Sequence, residues 1–446
     1  MAAPTIASGD DISSENVLVL VLDDIGVDGL ASYGLGSDLP STPNIDALAS
    51  KGVVFENAWS NPVCSPTRAT IQTGRYPLRT GVGFTVTEYS QELALSEVTI
   101  PEMLKLTGTN IASGAFGKWH LGNSGNGGPS SPNLAGYDTY QGALINLHPP
   151  QNYFRYFKTN NGFAYASLKY VTSEAIDDAR DWINSQRSQS KPWFAYVAFH
   201  APHTPFHAPP SNLHSVDLST AGLPKDDPRP YWKAMVEAAD TEIGRLLSQI
   251  SIDYTNTTVI LLGDNGTHPA VIVPPFIPSQ GKGTAYEGGV HVPFIVAGPD
   301  VTAPGRSNAL ISTSDIFATV SEVTGANYAP LSAAPGDQEG PNTLDSVSLV
   351  PYLKNPKTRS IRRFLWAEMF RPTNAPATII RRAVRNQRFK LIMQQSPTAG
   401  SEMFFFDLEL DPFEQNDLLQ GAGLTPLQQK NFDRLTIQAA GVLSSN

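Results

Sequence analysis

The chain has 446 residues, of which 41% are hydrophobic and 16% charged, the balance of an ordinary globular protein with room for two or three domains. A formal net charge of −10 at pH 7 and the lack of a basic tract argue against a nucleic-acid partner. No apolar run reaches membrane-spanning length. The stretch Met1 to Glu15 is polar and lacks the basic and apolar regions of a signal peptide, so a cytoplasmic protein is expected, or a periplasmic or secreted one if the chain is a mature form.

Asn16 to Leu22 reads as a buried strand, and Thr42-Pro43 opens a helix through Leu48 that Lys51-Gly52 stops. Cys64, the only cysteine, stands before the next helix. Ser65 is predicted as its N-cap, Pro66 as its first helical residue and Gly74 as its stop. A side chain at such a start faces unpaired backbone N–H groups, where an anion is stabilised; the plainer reading is a small buried apolar residue. Thr172 to Gln186 has helical spacing at Ala175, Ile176, Ala179 and Ile183, followed by a strand over Pro192 to Phe199. A long amphipathic helix spans Tyr231 to Ile250, and strands cover Thr257 to Leu262 and Val292 to Ala297. This alternation predicts an α/β sheet with helices on both faces.

Near Pro356 the pattern changes. Arg363 to Met369, Ala383 to Met393 and Met403 to Leu408 read as consecutive strands, and Thr425 to Leu443 as a closing helix. The expected organisation is a catalytic domain over 1–355 and a small α+β subdomain over 356–446. Pro and Gly cluster from Asn123 to Pro150, Pro269 to Gly283 and Pro330 to Pro341. All three read as loops, the first two as walls of a site.

Ligands of doubly wound sheets collect beyond the carboxyl ends of the strands. The first strand runs into Asp23-Asp24 and the Thr257 strand into Asp264-Asn265. Three carboxylates and an amide oxygen are hard donors that suit Ca²⁺ or Mg²⁺ rather than zinc. The Pro192 strand runs into His200-Ala201-Pro202-His203, with His207 beyond. Gly117-Lys118-Trp119-His120 and Gly281-Lys282-Gly283 supply further polar groups, and His291 follows. Each, alone, also reads as a loop cap or a solvated charge. Together, Arg68, Lys118 and Lys282 would offset the three aspartates, so a divalent cation would leave the pocket positive and attractive to a tetrahedral oxyanion.

In order along the chain stand Asp23-Asp24-Ile25-Gly26, Cys64-Ser65-Pro66-Thr67-Arg68 with Thr73-Gly74-Arg75, Gly117-Lys118-Trp119-His120, Pro202-His203-Thr204-Pro205, Asp264-Asn265-Gly266 and Gly281-Lys282-Gly283-Thr284-Ala285-Tyr286-Glu287-Gly288-Gly289. With Phe406-Asp407-Leu408, Asp411-Pro412 and Glu414 near the end, this series resembles the formylglycine-dependent, arylsulfatase-type sulfatases of the alkaline-phosphatase-like superfamily. The resemblance implies a large, mixed, mostly parallel sheet sandwiched by helices, with a smaller C-terminal antiparallel-sheet subdomain. It also implies a sulfuric ester hydrolase acting on a small-molecule or glycan sulfate ester. Cys64 would be oxidised by a dedicated maturation enzyme to formylglycine, whose hydrate has one hydroxyl to attack sulfur and a second to let the carbon collapse and release sulfate.

On this resemblance, Asp23, Asp24, Asp264 and Asn265, together with the residue made from Cys64, would bind Ca²⁺, with Mg²⁺ as the alternative. Asp264 would take the attacking proton. Arg68 and Lys118 would position the nucleophile, His120 would act as base, and His203 and Lys282 would grip sulfate and protonate the leaving alcohol. His291 stands where the family often has arginine. Tyr137, Tyr140, His148, Tyr153 and Phe154 are expected to stack on an aryl or sugar ring. The rival within the superfamily is a phosphonate monoester or phosphodiester hydrolase.

Overall fold

The computed structural model describes residues 15–326, 328, 343–421 and 423–444. Strands β1 (Asn16–Leu22), β2 (Val53–Trp59), β3 (Ala112–Gly117), β4 (Thr139–Gly142), β5 (Tyr156–Asn160), β6 (Phe163–Ser167), β7 (Trp193–Ala198), β8 (Thr257–Gly263), β9 (Phe294–Ala297) and β10 (Gly305–Ser312) form one sheet in the order β10-β2-β9-β8-β1-β7-β3-β4-β5-β6. β1 runs parallel to both β7 and β8, and β3 is parallel to β7 and β4. The exceptions are β9, antiparallel to β8 and β2, and the antiparallel edge pair β5 and β6.

β1 explains why the sheet is covered on both faces. Val17 through Leu22 are all fully buried. Leu18, Leu20 and Leu22 face a core built with the helices Val171–Ser188 and Pro228–Gln249. Val17, Val19 and Val21 face a second core built with the helices Cys64–Thr73 and Asp315–Val323. Strands with two dry faces read as unbroken apolar runs, as β1 and β8 do.

A separate antiparallel sheet, β11 (Leu365–Arg371), β12 (Ile379–Arg385), β13 (Phe389–Ser396) and β14 (Gly400–Asp407), follows in chain order. The helix Pro426–Ser444 packs on it through Leu435, Ala439 and Val442. Among the described residues, no helix is long and apolar enough to cross a membrane.

Several predicted elements need correction. Ala383 to Met393 is not one strand but the ends of β12 and β13 around a tight turn. The Asn386 side chain accepts from the backbone N–H groups of Arg388 and Phe389, at 2.9 and 2.8 Å, and so holds the reversal. The Cys64 helix starts two residues early: Val63, in extended conformation, is the N-cap and Cys64 is the first helical residue. Ser65 lies inside the first turn, where its hydroxyl accepts from the Val86 N–H at 3.0 Å. Gly74 does stop the helix, at φ 68°. The Asn123 to Pro150 tract holds β4 and the short helix Ser131–Leu134. The loop expected over Pro330 to Pro341 lies outside the described residues.

Candidate active site

The site lies where β1, β8, β3 and β7 end. Immediately beyond β1, the Asp24 backbone is left-handed at φ 69°, a conformation that costs about 1 kcal/mol. The Asp24 N–H donates to Asp264 Oδ1 at 3.1 Å, which joins the ends of β1 and β8. Thr267 reinforces that joint: its hydroxyl accepts from Gly26 N–H at 3.0 Å and donates to Asp28 at 2.8 Å. At the end of β3, Gly117 has φ 87°, and a Cβ there would lie 2.1 Å from the Ala198 carbonyl. Only glycine lets β3 approach β7 so closely. The chain then turns through Lys118 to His120, itself left-handed at φ 61°, and the Tyr153 hydroxyl lies 2.6 Å from the carbonyls of both His200 and His203.

Cys64 enters from the second core on its own helix. Its Sγ lies 3.3 Å from His120 Nδ1. One turn further on, Arg68 is wholly buried. Its Nε and Nη2 donate to Asp264 Oδ2 at 3.0 and 2.8 Å, and Nη1 donates to the Lys118 carbonyl at 2.8 Å. Lys118 is ion-paired with Asp23. Lys282 Nζ lies 2.5 Å from Asp24 Oδ1, and His203 Nε2 is 3.8 Å from Asp24 Oδ2. All ten residues expected from sequence (Asp23, Asp24, Cys64, Arg68, Lys118, His120, His203, Asp264, Asn265 and Lys282) thus converge in one pocket.

The donor set fits a hard cation. Asp23 Oδ1, Asp24 Oδ2 and Asn265 Oδ1 are buried acceptors without a hydrogen-bond partner, an expensive state unless a cation is to be held there. The Asn265 amide is oriented for this, because its Nδ2 donates to Asp24 Oδ1 at 2.9 Å and to the Gly266 carbonyl at 3.0 Å. Asp23, Cys64 and Asp264 can each bring a donor atom within 4.8 Å of the others, as can Asp23, Asp24 and His203. Burial would raise the Asp23 carboxyl, but Lys118, His203, Arg68 and Lys282 hold it well below the usual range. Burial and neighbouring Asp23 push Asp264 up to about 7, against Arg68 and Lys118. Burial also raises the Cys64 thiol, so as a thiol it is protonated at neutral pH and a poor nucleophile.

Sequence reasoning gave no role to a second charged cluster, which fixes the Lys282 loop from behind. Glu287 accepts from Trp59 Nε1 at 3.1 Å, pairs with Lys390 at 3.0 Å and Arg385 at 3.3 Å, and lies 3.4 Å from His291. Glu414 accepts from the Glu287 N–H at 2.5 Å and pairs with Lys390 at 2.8 Å. Burial opposes ionisation of Glu287, yet Lys390 and Arg385 hold its carboxyl down at about 2. Arg381 bonds the Gly283 carbonyl, and Gln280 donates to the carbonyls of Phe413 and Glu414 at 3.0 and 3.2 Å. The C-terminal sheet therefore holds the loop that carries Lys282. His291 belongs to this cluster rather than to the pocket.

The expected ring-stacking residues divide. Tyr137, Tyr140 and Tyr153 are buried, and their hydroxyls bond Gln72, Gly117 and the two histidine carbonyls. They are framework, leaving His148 and Phe154 at the surface. Phe154 packs against Tyr170 and His207, with ring centroids 5.0 and 5.6 Å apart. Burial pushes His207 down to about 4, although its bond to the Pro205 carbonyl works the other way. An unfolded histidine titrates near ~6.5, so the neutral folded form contributes stability above that pH and loses it as pH falls toward 4. Between pH 7.5 and 4.5 that loss is about 2 to 3 kcal/mol. Urea unfolding of the wild type and of His207→Phe is expected to show a stability difference that shrinks by this amount over that interval. A difference independent of pH would refute the assignment.

Residues 15–326 match the family described as Sulfatase. Among curated proteins, the chain is 28% identical to "Uncharacterized sulfatase YdeN" of Escherichia coli, over 77% of this chain and 66% of that one. It is also 28% identical to "Ulvan-active sulfatase" of Formosa agariphila, over 96% of this chain and 81% of that one. The chain thus spans just under two thirds of the length of the first of these relatives. Among solved structures, Ps i-CgsB in complex with k-i-k-neocarrahexaose superposes with a TM-score of 0.77 at 24% identity, covering 96% of this chain and 93% of that one. The likeness is one of fold.

Proposed function

Because this chain belongs to the sulfatase family, we propose that it hydrolyses a sulfate monoester, with formylglycine made from Cys64 by a maturation enzyme as nucleophile and with Ca²⁺ or Mg²⁺ as cofactor. The observation that carries this reading is the convergence of three orphaned oxygen acceptors, three cationic side chains and Cys64 in one buried pocket. The names of an ulvan-active relative and of a structural neighbour bound to a neocarrahexaose favour a carbohydrate sulfate over an aryl sulfate as the natural substrate. The division into a catalytic domain over 1–355 and a subdomain over 356–446 belongs to the same proposal.

Asp23, Asp24, Asp264 and Asn265 would hold the cation next to position 64. When bound, such a cation lowers the pKa of an oxygen nucleophile and offsets charge on sulfate oxygens. The chain's own groups do the rest. Arg68, locked between Asp264 and the Lys118 carbonyl, and Lys118, locked on Asp23, fix position 64 and supply positive charge that needs no reorganisation during reaction. Asp264 accepts the attacking proton, and His120, beside position 64, is the base that regenerates the nucleophile. His203 and Lys282, both beside Asp24, grip sulfate oxygens and deliver a proton to the leaving alcohol.

The discriminating experiment compares kcat/KM on 4-nitrophenyl sulfate, the corresponding phosphate monoester and a phosphate diester, using protein made with the maturation enzyme. The sulfate is expected to be faster than either phosphate by at least about 100-fold, the scale of losing one aimed charged interaction in such a site. Preference for the diester would replace this reading with the phosphodiesterase one.

A further inference from the structure

A second concave site lies away from the pocket, on the flank of β10 where the two sheets meet. It is a cleft of about 600 Å³ lined by Arg306, Lys357, Arg359, Arg362, Arg363, Arg388 and Arg434, among polar and apolar residues but without a single aspartate or glutamate. The chain as a whole has 41 acidic residues against 31 lysines and arginines, so this surface runs against the molecule's net charge. Its cations come from β10, from the segment before β11, from the β12–β13 turn and from the C-terminal helix. No run of sequence announces it; the fold assembles it.

Three of these cations are already committed. Arg306 pairs with Glu56, Arg362 with Asp315, and Arg388 with Asp407 and Glu409. Lys357, Arg359, Arg363 and Arg434 are exposed and have no ion pair among the described residues. Four unneutralised cations converging on one concavity carry a mutual repulsion that an anionic ligand would relieve, and they focus positive potential inside it. Asn308 adds an exposed amide to the same walls, a group that pairs with hydroxyls, while the Gln387 and Asn431 amides bond the Asn308 carbonyl, Asn386 and the Leu427 carbonyl. Unpaired cations for an anion and an exposed amide for a hydroxyl suit a sugar polymer that bears negative charge.

We propose that this cleft binds a strand of polyanionic glycan at a place distinct from the catalytic pocket. The choice of glycan rests on the carbohydrate-sulfate reading given above. β10 stands four strands from β1 in the sheet order, roughly 19 Å at the usual strand spacing. A strand held there leaves the catalytic pocket free, so the cleft retains a polymer while its residues are processed elsewhere.

The test is direct binding, measured by fluorescence anisotropy with labelled dextran sulfate, uncharged dextran of equal length and a single-stranded oligonucleotide of matching charge. The full chain carries Cys64→Ala, so no turnover is involved and failure of the sulfatase reading would not mask the result. The cleft variant adds Arg359→Ala, Arg363→Ala and Arg434→Ala; a control of equal charge adds Lys51→Ala, Lys169→Ala and Lys225→Ala. Dextran sulfate is expected to bind the cleft variant about tenfold or more weakly, three exposed charge contacts being lost. The control should stay within about twofold, and uncharged dextran should not bind. In the Cys64-containing background, the cleft substitutions should leave the rate on 4-nitrophenyl sulfate unchanged, which verifies the fold. Equal losses in the cleft and control variants would overturn the proposal, as would no binding of dextran sulfate. An oligonucleotide bound as tightly through the same arginines would overturn the choice of glycan.

Discussion

Cys64→Ala is expected to lower kcat on 4-nitrophenyl sulfate by on the order of 10⁶-fold, the scale at which an enzyme that has lost its nucleophile operates. The fold should survive. Cys64 is 1% exposed, but among the described residues its side-chain hydrogen bond is to His120 Nδ1 alone, at 3.3 Å, and the helix it begins has no side-chain cap to lose. Removing one sulfur from a packed core costs about 1 kcal/mol, so circular dichroism and melting temperature should change little. Cys64→Ser separates two ideas: if a thiol-sized group with one nucleophilic atom sufficed, serine would retain substantial turnover. Serine is expected to be nearly as slow as alanine, because a single hydroxyl cannot both attack sulfur and later release it. Peptide mass spectrometry should find an aldehyde at position 64 in active protein. Full activity with only free thiol there would sink the mechanism.

Stripping divalent cations should have the next largest effect. Asp23, Asp24 and Asp264 lie together in the core with three unpartnered acceptor atoms among Asp23, Asp24 and Asn265, a state that a bound cation would relieve. Chelation followed by desalting is expected to reduce kcat/KM by on the order of 10³-fold, several kcal/mol of electrostatic stabilisation. It should also lower the melting temperature by a few degrees, since a ligand at 100 times its Kd stabilises the folded state by about 2.7 kcal/mol. Returning Ca²⁺ should restore both, and Mg²⁺ titrated in parallel identifies the preferred ion. Protein shown by elemental analysis to be free of metal, yet fully active and equally stable, would contradict the site.

How much of this was readable from the chain follows from what each residue type can do alone. β1 and β8 were legible because unbroken apolar runs have no other home than a sheet covered on both faces, and the carboxylates directly after them mark strand ends. The pocket was legible as short motifs whose order resembles a family's. What escaped depends on partners distant in sequence. Nothing local distinguishes Tyr153, which holds two histidine carbonyls, from a tyrosine that stacks on a ligand. The Val63 cap was missed because Ser65 has a cap's chemistry but spends its hydroxyl on Val86. Ala383 to Met393 was read as one strand because the Asn386 turn lacks glycine. The support of Glu287 by Lys390 and Glu414 joins positions more than a hundred residues apart.

That last contact bears on how the protein comes into being. The Lys282 loop is held by Arg381, Lys390 and Glu414, residues that leave the ribosome after every group in the pocket itself. Domains form as the chain emerges, N-terminal parts first. The growing polypeptide can thus build the sheet and seat Asp23, Cys64 and Asp264 long before Lys282 has its support. A nascent fragment that ends before β13 lacks Lys390 and Glu414, and with them groups that hold the Lys282 loop.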